Sequence, residues 1–125
     1  MPPMLLTGGG MRGGPLHPLL RGAPLLAVTV TAPRYRLWSV ADRFPALEPV
    51  AEGGVAVEGE VYDVPLEVLR ESLLPAEPDE LELGVAELAD GTSCLAMLLR
   101  RPAGVPEGLR DISAYRGWRR YRGEA

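Results

Sequence analysis

Hydrophobic and polar positions alternate with period two over residues 55–62. Val55, Val57, Gly59 and Val61 fall on one side, and Glu58, Glu60 and Tyr62 on the other. That spacing predicts a half-buried β-strand with an acidic face. The same rule predicts strands over residues 4–7, 25–31, 35–40, 81–88 and 93–99. Residues 44–50, broken by Pro45 and Pro49, predict an irregular edge strand, because proline cannot donate to a ladder. Residues 66–74 change period: Leu66, Leu69, Leu73 and Leu74 recur at helical spacing until Pro75 ends the run. Residues 15–20 predict a short helix opened by Pro15 and stopped by Gly22. Ser113 predicts the N-cap of a last helix over 114–121. Residues 89–92, Ala-Asp-Gly-Thr, predict a hairpin turn, and residues 102–108 a loop. Six or seven strands with two or three short helices predict one α+β domain spanning residues 1–125.

Composition narrows the classes. At 46% apolar and 24% charged residues the chain reads as globular. Its longest uncharged apolar run, residues 23–32, is far short of a membrane span. The Met-Pro-Pro-Met start lacks a signal-peptide pattern, so a cytoplasmic location is expected. Cys94 stands alone, which rules out an internal disulfide and cysteine-pair zinc sites. Its apolar strand setting predicts a buried structural thiol. All 13 basic residues are arginine, and Lys, Asn and Gln are absent. Lysine Schiff-base chemistry is thereby excluded, and a GC-rich bacterial genome or a thermophile is suggested. With one histidine and no paired ligand spacing, neither a metal site nor a cofactor is expected.

Charge is segregated. Residues 48–90 hold 13 acids and one arginine, whereas residues 1–47 and 91–125 each carry a net charge of +4. Two readings are open: opposed faces that pair within the fold, or a basic surface for a partner. The overall balance is acidic, at −4, and no nucleic-acid motif is present, so nucleic acid is not an expected partner.

The chemistry-bearing features are few. Residues 8–14 hold five glycines in seven residues after the first strand, a geometry that exposes backbone amides able to hold an anion. The loop is neither a Walker loop nor a dinucleotide fingerprint, and a flexible turn is the plainer alternative. Arg34 and Arg36 flank Tyr35 and either clamp a carboxylate or pair with Glu58 and Glu60 on an adjacent strand. Trp118, Tyr115 and Tyr121 read as the packing face of the last helix.

Several segments resemble a known family. Thr-Ala-Pro-Arg-Tyr-Arg-Leu-Trp at 31–38 and Val-Glu-Gly-Glu-Val-Tyr-Asp-Val-Pro at 57–65 resemble the γ-glutamylcyclotransferase-like (AIG2-like) superfamily, a small mixed β-barrel around one acid-binding pocket. Gly13-Gly14-Pro15-Leu16, the 84–91 hairpin and Asp-Ile-Ser-Ala-Tyr-Arg-Gly-Trp-Arg-Arg-Tyr at 111–121 resemble more narrowly the C-terminal domain of allophanate hydrolase, here in freestanding form. The resemblance implies an anion-binding loop at Gly8, Gly9, Gly10 and Met11, with Thr7 in place of the family's tyrosine. It implies pocket walls at Arg34, Tyr35 and Tyr62. Glu77 is the counterpart of the cyclotransferase acid/base, and His17 of a histidine that assists removal of a carboxyl group. The implied ligand is a small carboxylated amide, either an N-carboxylated carbamate or urea compound or a γ-glutamyl amine. The alternative is a non-catalytic domain that docks on a separately encoded amidase. The oligomeric state is left open.

Overall fold

The computed structural model describes residues 3–100 and 108–123. Eight strands form one sheet: β1 (Pro3–Leu6), β2 (Leu25–Val30), β3 (Tyr35–Val40), β4 (Phe44–Pro49), β5 (Glu58–Asp63), β6 (Leu81–Glu87), β7 (Ser93–Leu99) and β8 (Leu109–Asp111). The order is β2-β5-β1-β7-β4-β3-β8, with β6 added on β7. Seven of these match the expected strands. β8 adds an eighth, because three residues show no alternation to read; Trp38 and Val40 of β3 recruit it by pairing with Asp111 and Leu109. The expected 102–108 loop lies outside the described residues except at Gly108.

The sheet curls, and two isolated bridges tie its flanks. Thr31 bridges Leu88 and Tyr35 bridges Val55, giving the half-barrel of an α+β domain. Both faces of the central strands are buried. Leu5 and Val61 join Leu37, Leu47 and Ile112 in one cluster, while Met4, Leu6 and Tyr62 join Leu69 and Leu73 in another. Each fully buried leucine contributes roughly 2 kcal/mol. Of the acidic face expected to be half-exposed on β5, Glu60 is inside, at 2% exposed, together with Tyr62, whereas Glu58 stays partly exposed.

The expected 66–74 helix is present but mixed. α1 (Leu66–Val68) runs into a π turn (Leu69–Leu73) and then a 3-10 turn (Leu74–Ala76). The Leu74 amide reaches back five residues to the Leu69 carbonyl, and Pro75, with no N–H, stops further winding. The Ser72 hydroxyl donates to the Leu19 carbonyl at 2.7 Å, fastening this segment to the 3-10 turn His17–Leu20.

The last helix is also divided. A 3-10 turn (Ser113–Tyr115) precedes α2 (Trp118–Arg122), with Arg116 left-handed between them at φ 64°. Ser113 caps nothing; its hydroxyl accepts the Leu37 amide at 2.9 Å and donates to Asp111 at 2.6 Å. No helix among the described residues is long and apolar enough to cross a membrane.

Candidate functional site

β6 pairs with β7 along its whole length, so β1 and β4, both parallel to β7, must share the opposite edge. β1 meets β7 at Leu95 and Ala96 and then departs into the glycine loop. β4 joins only at Leu98. Between the departing and the arriving strand lies a crevice of about 660 Å³. Such a parting of parallel strands beyond a carboxyl end is a natural ligand site. It also explains Pro45: β4 is an interior strand rather than the expected edge, but the missing N–H faces the crevice, where no ladder partner exists.

One rim is the glycine loop. Its fold is set by internal bonds: the Met11 amide donates to the Gly8 carbonyl at 3.0 Å, and the Leu16 amide to the Gly9 carbonyl at 2.9 Å. Gly14 is obligatory, since a Cβ there would stand 2.2 Å from the Gly9 oxygen. The amides of Gly8, Gly9 and Gly10 have no acceptor among the described residues. Backbone donors in that state need water or a ligand.

Glu60 holds the loop from behind. It accepts the Arg12 amide at 2.8 Å, the Arg12 guanidinium at 3.1 Å and the Tyr62 hydroxyl at 2.8 Å, with Arg119 at 3.5 Å. Burial alone would raise this carboxyl. The Arg12 amide, the Tyr62 hydroxyl and the two guanidiniums outweigh it and hold the group below its ordinary value. Burial, then the bond to Glu60, pushes the Tyr62 phenol up to about 12. His17 adds a second brace, its Nδ1 lying 2.9 Å from the Gly10 carbonyl and its ring edge-on to Tyr62 at 5.5 Å.

The opposite rim carries Glu77, the first residue past the 3-10 turn, with Ala76 and Pro78 beside it. Its carboxyl has no hydrogen bond or ion pair among the described residues, and burial pushes it up to about 7. Its segment is held on both sides. Arg100 donates to the carbonyls of Asp79 at 2.8 Å and Leu81 at 3.0 Å, and Arg43 pairs with Glu80 at 3.2 Å. The crevice is otherwise cationic: Arg12, Arg43, Arg119 and Arg122 all border it.

Of the residues expected to form the site, Gly8, Gly9, Gly10 and Glu77 come together. His17 and Tyr62 stand behind the loop instead of lining the crevice. Met11 is buried in the core with Tyr62. Arg34 and Tyr35 are elsewhere, because β3 lies far from β5 in the sheet order. Arg34 pairs with Glu87 at 3.2 Å, and the Tyr35 hydroxyl accepts the Glu87 amide at 2.8 Å. The expected Arg34 and Arg36 pairing with Glu58 and Glu60 is thus replaced: Arg36 bonds Asp111, and Glu58 bonds Arg120. Sequence reasoning missed Arg12, Arg43, Arg119 and the buried role of Glu60. Segregated charge was the available signal, since the acidic middle segment is paired with both basic ends. Cys94 is buried, as its setting predicts. Among the described residues no group of three metal-ligating side chains is present.

Comparison with known proteins agrees with this architecture. The family model of the allophanate hydrolase C-terminal domain matches residues 2–123. No curated protein sequence matches at a significant level. Among solved structures, a uropathogenic E. coli-specific protein is 35% identical, with a TM-score of 0.90, over 99% of this chain and 97% of its own. Kluyveromyces lactis allophanate hydrolase is 25% identical, with a TM-score of 0.89, over 98% of this chain and 21% of its own. A Mus musculus AIG2-like protein, 21% identical with a TM-score of 0.64, covers 86% of this chain and 82% of its own and shares the fold.

Proposed function

This chain belongs to the allophanate hydrolase C-terminal domain family, and on that premise we propose that its crevice binds a small carboxylated amide and that Glu77 acts there as general acid/base. The observation that carries this reading is the placement of a half-buried carboxyl across one crevice from glycine-loop amides, neither with a partner among the described residues. The amides and the surrounding arginines suit a carboxylate. A carboxyl titrating near 7 exchanges a proton at neutral pH with little bias either way.

Two substrate classes fit that chemistry. With an N-carboxylated carbamate or urea compound, the C–N bond to the departing carboxyl group breaks, its electron pair goes to nitrogen, and protonated Glu77 supplies the proton there. With a γ-glutamyl amine, ionised Glu77 takes a proton from the attacking α-amine and returns it to the leaving amine. His17 acts in this account through the loop carbonyl that it contacts. The test is turnover of both classes by wild-type and Glu77→Gln protein, the carbamate generated in place by an amidase. Loss of turnover in the variant supports the reading; equal turnover by both proteins, or none by either, removes it.

A second reading has one observation in its favour. The matched region is only 21% of the K. lactis allophanate hydrolase chain and 8% of K. lactis urea amidolyase. In this reading the domain associates with a separately encoded amidase without catalysing a step, and stoichiometric copurification with that amidase is its signature.

A further inference from the structure

The β3–β4 turn is strained and held from outside. Ala41 and Asp42 are consecutive non-glycine residues in the left-handed region, at φ 51° and 57°. Such a turn persists only where its surroundings over-determine it. Here the Asp42 carboxylate accepts the hydroxyls of Ser39, at 2.9 Å, and Tyr121, and its carbonyl accepts Arg122 at 3.0 Å. The Ala41 amide donates to the Gly108 carbonyl at 2.9 Å. The residue that follows this turn is Arg43, which borders the crevice and pairs with Glu80, three positions from Glu77.

A chain of contacts therefore runs from the last helix to the acid/base candidate: Tyr121 to Asp42, the turn to Arg43, Arg43 to Glu80, and Glu80 to the segment that presents Glu77. We infer that Tyr121 is a positioning residue for the crevice, acting through Asp42 and Arg43 to hold the Glu77 segment in place. The Tyr121 ring packs edge-on against Tyr115 at 5.2 Å and lies 5.8 Å from Trp118. Those contacts are independent of its hydroxyl, which donates to Asp42 and accepts Arg110 at 3.3 Å, so ring packing and hydrogen bonding separate by substitution. This inference rests on the functional reading of Glu77 above, but its test does not.

The test is carboxyl-carbon NMR titration of Glu77 in wild type, Tyr121→Phe and Asp42→Asn, with thermal melting of each. The charged groups that share the crevice with Glu77 are Arg12, Arg43, Arg119 and Arg122; Asp79, Glu80 and Glu82 are its neighbours along the chain, and burial is what raises its carboxyl. These charged groups are unaltered in all three proteins. Tyr121→Phe keeps both ring contacts and is expected to melt near wild type. Its Glu77 midpoint is expected to fall by about one unit or more toward the ordinary carboxyl value, as water enters a loosened segment. Asp42→Asn keeps an acceptor for Tyr121 and tolerates the left-handed turn, so it is expected to retain the wild-type midpoint. An unchanged Glu77 midpoint in a folded Tyr121→Phe protein overturns the inference, as does an Asp42→Asn midpoint that falls equally. A wild-type midpoint near 7 with undiminished turnover in Glu77→Gln contradicts the functional reading alone.

Discussion

Replacing Glu60 by glutamine tests how the glycine loop is held. Glu60 is 2% exposed and receives three hydrogen bonds of 2.8–3.1 Å, two of them from Arg12. Glutamine has nearly the same shape but only one acceptor oxygen. If that oxygen serves the Arg12 amide and Tyr62, the new NH₂ group faces the guanidiniums of Arg12 and Arg119, donor against donor. If it serves the guanidiniums, the Arg12 amide loses its acceptor. A charge-assisted bond contributes about 1.5–3 kcal/mol, and breaking a buried pair costs about 3–5 kcal/mol. Arg12 is partly exposed and can turn to water, so about 3 kcal/mol is expected. For a chain of this size that lowers Tm by roughly 10–15 °C. The assay is thermal denaturation at pH 7 with amide exchange at Arg12. The pH dependence gives a second handle. The native Glu60 carboxyl titrates below its ordinary value of 4.5, so its stabilisation is full above that value and is lost as pH falls through the native midpoint. The gap between wild type and Glu60→Gln should close in the same range. A variant that melts within about 2 °C of wild type, with Arg12 equally protected, would refute the reasoning.

Other perturbations probe other links. Burial raises the Glu77 carboxyl from 4.5 to about 7, so its native ionisation is disfavoured: the contribution to stability is full below 4.5 and is lost as pH rises through 7. Glu77→Gln should therefore gain about 1–2 kcal/mol over wild type between pH 5 and pH 8, read from denaturant midpoints at both values. Gly14→Ala places a methyl 2.2 Å from the Gly9 oxygen; the loop must refold, seen as large amide-shift changes at residues 8–10 and a loss of roughly 2 kcal/mol or more. Ser72→Ala removes the bond to the Leu19 carbonyl and should cost about 1 kcal/mol in equilibrium unfolding.

Strand periodicity made most of the sheet legible because apolar alternation is a local property. The three-residue β8 escaped, since its existence depends on β3 rather than on its own sequence. The Glu58-x-Glu60-x-Tyr62 face looked solvated because nothing near it in sequence announces Arg12 and Arg119, 48 residues before Glu60 and 59 after it. The same limit governed the site. The glycine loop was legible from its own five glycines in seven residues, whereas Glu77 was found by resemblance to a family motif, which encodes a fold already assembled. Arg43 lies in no such motif and reaches the crevice through a turn whose geometry Tyr121 supports from the other end of the chain. Arg34 and Tyr35 were placed at the pocket by the resemblance alone, whereas the sheet sends β3 to the far side of β7.

The most direct measurement is kcat/KM against pH for whichever small carboxylated amide the wild-type protein turns over, with Glu77→Gln alongside. The account predicts a wild-type profile with a midpoint near 7 that disappears, with most of the activity, in the variant. The same profile and comparable rates in Glu77→Gln, or no turnover of either substrate class by wild type, would contradict it.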